Sequence, residues 1–429
     1  MHLTSKAQRT VSGRGRFCVV AMLVALAALT YLDRACISTL APAIMRDLGL
    51  SANQMSWAFS AFAIAYAAFE IPTGRSADRI GTRRVLTRIV VWWSGFTFLT
   101  AAATGFWSLL TMRFLFGAGE AGAWPCAART IARWLPVAER GRVQSVFFAG
   151  ALLAGGMTPL IVLSLTQLVN WQGVFVVFSA LGLVWAMAWH RWFRDDPADH
   201  PWITRSELDV IKGDRAAPDQ PQHRHLPWRT LFGNRNVVAL CAMYFPNSFV
   251  FYFCITWLPR YLKEELGFNE TALGIFTGLP LWCGVVGVLA GGIATDYMVK
   301  HYGPRLGRIG PGVLGYIVAG AAILIAARTA EPVLAAALFS CGLAASMFTL
   351  GAAWGTCQDI GGEHVAVVSA TMNTAGQLGA IVSPLLIAAL VDSTVGWQGA
   401  MTLMGAMFLG GAVCWCVIDP RRFIQGNLL

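Results

Sequence analysis

Two acid–base pairs stand inside apolar runs of this sequence. Asp33 and Arg34 adjoin within residues 28–38, in a run that begins near Phe17. Arg113 and Glu120 are seven residues apart in another run, which on a helix puts them on one face, about 10.5 Å apart along the axis at 1.5 Å per residue. If these runs lie in a bilayer, each lone charge is costly and needs a partner. A carboxyl group there can take up and release a proton. A guanidinium can hold a carboxylate bidentately and keeps its own proton throughout. The four residues thus offer proton binding beside anion binding. They also fit a charge network that only pins two helices together, and other features must decide.

The elements that position them follow from composition. Of 429 residues, 56% are hydrophobic and 13% charged, against about a quarter charged in soluble domains. This is a membrane protein. Apolar runs long enough to cross about 30 Å of hydrocarbon as helix occur twelve times: 17–39, 54–74, 85–104, 106–132, 145–168 and 171–193, then 237–262, 272–294, 309–328, 332–354, 366–391 and 397–418. The predicted fold is all-α, a polytopic bundle of twelve transmembrane helices. Its divisions are an N-terminal half (1–193), a linker (194–236) and a C-terminal half (237–429).

The net charge of +10 does not point to nucleic acid, because the bases collect in short connections rather than one stripe. Lys6, Arg9, Arg14, Arg16, Arg75, Arg79, Arg83, Arg84, Arg133, Arg140 and Arg142 fall on one side, as do Arg191, Arg194, Lys300, Arg305, Arg308, Arg421 and Arg422. By the positive-inside rule that side is cytoplasmic, with both termini. Arg46, Arg260, Lys263 and Arg328 are exceptions. No cleavable signal peptide is evident. The ten cysteines show no zinc or disulfide spacing, and Cys414-Trp415-Cys416 lacks further ligands. In the linker, Thr204 to Glu207 has capping-box spacing, which predicts a short amphipathic helix through Ile211 on the membrane surface. His223 and His225 read as solvated linker.

Gly74-Arg75-Ser76-Ala77-Asp78-Arg79-Ile80-Gly81-Thr82-Arg83-Arg84 joins the second and third spans. This resembles the signature loop of the major facilitator superfamily, and a degraded second copy, Gly292 to Asp296 with Lys300 and Arg305 behind it, follows the eighth span. The resemblance covers nearly the whole chain and implies two parallel six-helix repeats. Physically, Asp78 suits the start of one helix and the arginines the end of another. Gly74, Asp78, Arg79, Gly81, Arg83, Arg84 and Asp296 are therefore expected to form a conformational latch; a purely topogenic loop would need the bases but not the glycines or Asp78. Gly117, Gly119 and Gly122 form a GxGxxG in mid-span with no preceding strand, so close helix packing explains them better than a nucleotide.

A narrower resemblance rests on Tyr31-Leu32-Asp33-Arg34, the spacing of Arg113 and Glu120, and Thr256-Trp257-Leu258-Pro259-Arg260-Tyr261-Leu262. These look like the anion:cation symporter family, whose bacterial members take up sugar acids and other organic carboxylates with protons. The resemblance implies Asp33 and Glu120 as proton sites, Arg34 and Arg113 as anchors for the anion, and Tyr66 as a substrate contact. Tyr244 with Asn247, and Asn373 with Gln377, share helix faces and are candidate readers of substrate hydroxyls or else hydrogen bonds between helices. Gln377 departs from the asparagine common in the family's motif. Trp354 is a candidate closure of the pocket or a belt residue.

The expected function is proton-coupled symport of an organic carboxylate by alternating access, without metal or other cofactor. The expected partners are the anion, the lipid bilayer and no second copy, since a monomer is expected. The short connection 40–53 resembles bacterial members, which implies a bacterial inner membrane. A drug/proton antiporter fits two arginines less well, a transporter-like anion sensor stays open, and an enzyme has no domain to house it. Asn269-Glu270-Thr271 matches a glycosylation sequon, but Asn269 reads better as a helix cap.

Overall fold

The computed structural model describes residues 14–212 and 226–424, so His223 and His225 lie outside the described residues. The N-terminal helices are α1 (Arg14–Leu48), α2 (Ala52–Ile80), α3 (Thr82–Thr100), α4 (Phe106–Glu120), α5 (Ala123–Trp134), α6 (Arg140–Leu165) and α7 (Trp171–Trp192). Two short linker helices follow, α8 (Arg205–Lys212) and α9 (Trp228–Gly233). The remainder are α10 (Arg235–Thr256), α11 (Leu258–Glu264), α12 (Glu270–Ala326), α13 (Pro332–Phe348), α14 (Leu350–Gly361), α15 (Val365–Val391) and α16 (Gly396–Val417). There is no strand among the described residues.

The helices start where polar side chains can take up orphan N–H groups. Ser51 and Gln54 form a reciprocal capping box on α2. Asn170 caps α7, and Asn269 accepts the Ala272 N–H at 2.9 Å to cap α12. Where the sequence predicted single unbroken spans, two are broken. The fourth divides into α4 and α5 at Ala121-Gly122, with Gly122 at φ +92°. A Cβ there would meet Thr73 at 2.5 Å, so the close approach and the left-handed backbone both call for glycine. The tenth divides into α13 and α14 at Thr349. Conversely α12 carries two passes across a single non-helical residue, Gly303. With these allowances the chain makes the twelve passes expected.

Within the N-terminal group α1 packs on α6, α2 on α4 and α3 on α7; in the C-terminal group α10 packs on α15, and α12 on α13 and α16. The burial pattern inverts that of a soluble protein. Leu168 is 82% exposed, Trp107 75% and Leu385 71%, while Glu70 and Glu120 are fully buried. Apolar side chains face outward as lipid requires, and charge is kept inside.

The linker helix α8 departs from expectation. Ile211 is completely buried, and Glu207 Oε1 accepts the Arg16 backbone N–H at 3.1 Å, so α8 docks on the start of α1 rather than on a membrane surface. Thr204 does cap it, through the Glu207 N–H. Glu207 turns its carboxylate to α1 instead of closing the capping box.

Candidate functional site

A cleft between the two helix groups is lined by Tyr31, Arg34, Tyr66, Trp124 and Phe148 on one side and by Tyr244, Asn247, Tyr252, Asn373 and Gln377 on the other. The unbroken α1 carries Arg34 to its wall. There Arg34 Nε and Nη2 each lie 2.6 Å from Glu120 Oε1, at the last residue of α4. The Arg34 guanidinium also lies 4.8 Å from the Tyr66 ring centroid and 5.2 Å from that of Phe62. Arg113 approaches the same Phe62 ring at 5.2 Å and Phe116 at 4.5 Å. Phe62 thus serves two guanidinium groups at once, stabilising each through the negative face of its ring. No sequence signal singled it out.

The four charged residues are brought together unequally. Arg34 faces the cleft and Glu120 holds it from behind. Asp33 and Arg113 are buried and do not line the cleft in this state. Asp33 forms no ion pair among the described residues, and its Oδ1 has no hydrogen-bond partner; Arg113 Nε has none either. Successive residues on a helix point about 100° apart, which is why Asp33 cannot share the cleft wall that Arg34 occupies. The charge network is therefore incomplete as it stands, with donor and acceptor capacity left over on both helices.

On the facing wall the candidate hydroxyl readers are already engaged. Asn247 Nδ2 donates to Ser346 Oγ at 2.7 Å. Asn373 Nδ2 donates to Glu70 Oε1 at 2.5 Å, and Thr374 Oγ1 to Glu70 Oε2 at 3.2 Å. Gln377 lines the cleft. Trp354 does not: it is fully buried, and its indole N–H donates to the Tyr244 hydroxyl at 3.1 Å. The expectation of Trp354 as a residue closing the pocket gives way to one of support for Tyr244. Tyr66 lies under Arg34 with its hydroxyl unpartnered. Glu70 was missed by the sequence reading, although a lone acid between Phe69 and Ile71 in an apolar run was the available signal.

The basic end below the cleft is shut. Asp78 accepts the Ala366 N–H at 3.1 Å and the Val367 N–H at 2.8 Å, capping α15 from the other helix group. Arg129 on α5 braces it, reaching Asp78 Oδ1 at 2.6 Å and the Glu363 carbonyl at 2.6 Å. Asp296 does the reciprocal task, accepting the Gly141 and Arg142 N–H groups at 2.9 and 2.7 Å at the start of α6. Asp359 joins Arg140 at 2.9 Å to Arg308 at 2.8 Å, and Gln358 donates to Gln144. Gly74 lets α2 and α15 touch, since a Cβ there would stand 2.7 Å from the Ala366 carbonyl oxygen.

The other expected latch residues do not reach across. Arg79 and Arg84 are exposed, and Arg83 donates to the His190 carbonyl within its own group. Gly81, at φ +89°, turns the chain so that Asp195 can cap α3 through Thr82 and Arg83. Arg129, Arg140 and Arg308 were missed as latch residues because bases beside spans serve topology as well; Asp359, an acid in no repeated motif, carried no signal of its own. Among the described residues no three His, Cys, Asp or Glu side chains converge on a metal site.

The profile described as Major Facilitator Superfamily matches residues 23–384. The chain is 34% identical over 408 residues to the probable sulfoacetate transporter SauU of Cupriavidus necator, covering 94% of each chain. It is 30% identical over 434 residues to the probable galactarate/D-glucarate transporter GarP of Escherichia coli, covering 95% of this chain and 96% of that one. Its fold matches the crystal structure of the human organic anion transporter MFSD10 with a TM-score of 0.70 at 15% identity, over 93% of this chain and 99% of the other.

Proposed function

From the premise that this chain belongs to the Major Facilitator Superfamily and is a multi-pass membrane transporter, not an enzyme, we propose that it carries a small organic carboxylate together with protons. The observation that carries the reading is the Arg34–Glu120 pair at the cleft wall. A substrate carboxylate can gain Arg34 only by displacing Glu120 or by sharing the guanidinium with it. Either way Glu120 loses part of its counter-charge and gains an anionic neighbour, and both changes favour its protonated form. Asp33, buried with an unpartnered oxygen, is a second acid that feels the same change. Proton and anion binding then assist each other, and by linkage the assistance is mutual.

Arg113 completes the anchor once Phe62 moves aside, which provides two guanidinium groups for a substrate with two acid groups. Two of the similar relatives are named for such compounds, since galactarate and D-glucarate are dicarboxylates and sulfoacetate pairs a carboxylate with a sulfonate, whereas others are named for hexuronate and D-galactonate, which carry one carboxylate. The polar wall of Tyr244, Asn247, Asn373 and Gln377 favours the hydroxyl-bearing sugar acids. Transport follows from rocking residues 1–193 against 237–429 about the cleft, with 194–236 as the tether. With the basic end cytoplasmic, the present state faces outward. A monomer in a bacterial inner membrane suffices, since the site is built from one chain.

The test is uptake by the purified protein in proteoliposomes under an imposed pH gradient. The panel comprises galactarate, D-glucarate, galactonate, hexuronates, sulfoacetate and an aromatic acid. We expect saturable, gradient-driven accumulation of a sugar acid that a protonophore abolishes. Accumulation of sulfoacetate alone would move the cargo to short sulfonated acids. Uptake indifferent to the proton gradient, or export of lipophilic cations instead, would overturn the reading.

A further inference from the structure

Tyr66, Glu70, Gly74 and Asp78 follow one another at four-residue intervals down α2 and so form one stripe of that helix. The stripe meets α15 step by step. Glu70 is held by Asn373 and Thr374, Gly74 touches Ala366 and Ala370, and Asp78 caps Ala366 and Val367. Tyr66 lies in the cleft and Asp78 at the basic end, so Glu70 is the first contact of the seam met from the substrate side. At its far end Asp78 supplies one of the caps that shut the basic end.

Glu70 is fully buried, and the partners it has here are neutral donors. Around it stand Tyr66 on its own helix, Arg34 on α1 and Tyr244 on α10, with Glu120 and Arg113 on α4 on the far side of Arg34. α15 carries no ionisable residue over its whole length, Val365–Val391. α3, α5 and the turn before α15 carry Arg88, Arg129, Glu363 and His364 towards the basic end. Both Glu70 oxygens accept hydrogen bonds, which suits a carboxylate. Bonds to an ionised acceptor are roughly twice as strong as bonds to a neutral one.

We propose that Glu70 is a further proton-binding residue of the transport cycle, a lock that joins the two helix groups while ionised and releases Asn373 and Thr374 to the substrate when it takes up a proton from the cleft. The step is a simple protonation: the proton arrives through the open side of the cleft, adds to one carboxylate oxygen, and leaves to water once the seam has parted. One donor bond must then be lost or reversed, and Asn373 becomes free to meet a substrate oxygen. The empty carrier closes again because the ionised carboxylate recovers both donors. This rests on the proton-coupled reading above, but it concerns the seam, so it can be tested without any substrate.

The experiment places noncanonical spin-label residues at Arg84 and His301, both exposed at the basic end of opposite groups, and measures their distance distribution in nanodiscs between pH 5 and pH 8. In the parent protein we expect a short distance at pH 8 and a long-distance population at pH 5. Glu70→Gln should raise the long-distance population about tenfold at pH 8 and change it little at pH 5. Asn373→Ala with Thr374→Val, which leaves the acid but removes its donors, should do the same and serves if the first variant fails to fold. An equal effect of Glu70→Gln at both pH values would make Glu70 a packing residue and overturn the proposal, as would no effect. Should the uptake panel show no proton-driven transport while these shifts occur, the lock stands and the transport reading falls. The opposite result separates them the other way.

Discussion

Asp78 and Asp296 are counterparts, each capping the first turn of a helix that belongs to the other group. Asp78 closes α15 and Asp296 closes α6. The repeated signature therefore has a physical meaning that a basic loop does not. Each copy supplies a carboxylate to the partial positive charge at a helix N-terminus, and the pair of copies holds the basic end shut from both sides.

Replacing either aspartate by alanine should loosen that end. A lost cap costs about 1 kcal/mol, up to about 2, which moves a two-state balance by roughly 5–30-fold. Labelling of a reporter cysteine placed at the basic end of a cysteine-free background should rise for Asp78→Ala and Asp296→Ala alike. Arg129→Ala should resemble Asp78→Ala, and the two combined should add little, because both act on one contact.

Arg34 and Arg113 should separate by assay. Arg34 lines the cleft, so Arg34→Ala should abolish substrate binding as well as uptake. Arg113 is buried beside Phe62, so Arg113→Ala should leave equilibrium binding to the state with the basic end closed within about threefold while uptake falls below a few per cent, on the order of 2 kcal/mol of transition-state stabilisation. Comparable losses of binding in both variants would show that Arg113 already contacts the substrate in that state.

For Glu120→Gln, hydrogen bonding to Arg34 persists but the charge that must be protonated is gone. Exchange of labelled for unlabelled substrate should survive, whereas accumulation driven by a pH gradient should be lost. Uptake with a normal pH dependence in the Glu120→Gln, Asp33→Asn double variant would sink the coupling scheme.

Gly74→Ala should prop the seam apart, since the new methyl would press on the Ala366 backbone, which cannot swing away as a flexible side chain can. Uptake should drop about tenfold or more, with the basic end more accessible. Gly95→Ala is the control, because a Cβ there meets nothing within 4 Å and the helix gains about 1 kcal/mol in propensity.

Trp354→Phe removes one donor to Tyr244 and keeps the ring in place. The loss of one hydrogen bond, about 1 kcal/mol, should raise KM about fivefold with little change in maximal rate. A change confined to maximal rate would point to a role in the moving seam instead.

The sequence made the twelve passes legible because lipid imposes length and apolarity on each. It also made legible four of the buried or half-buried charges, Asp33, Arg34, Arg113 and Glu120, but not Glu70, which stands alone with no basic residue in its run, 54–74. It did not reveal which way they face. Asp33 and Arg34 are adjacent in sequence and yet serve different surroundings, because a helix turns between them. The break after Glu120 was hidden for a related reason: Gly117, Gly119 and Gly122 look alike in sequence, but only Gly122 of the three has the left-handed backbone. The residues that close the basic end were hidden by redundancy of cause, for Arg129, Arg140 and Arg308 sit where topology alone would put bases.

The interruption between α4 and α5 has a mechanical consequence. Glu120 and Arg129 belong to one pass, but the joint at Ala121-Gly122 lies between them, so no continuous helix of that pass connects the cleft to the basic end. α2 stays helical from Tyr66 through Asp78, although Pro72 removes one of its backbone hydrogen bonds, and it is the more continuous link. Work done at the cleft should reach the far closure along α2, with the fourth pass flexing to follow it.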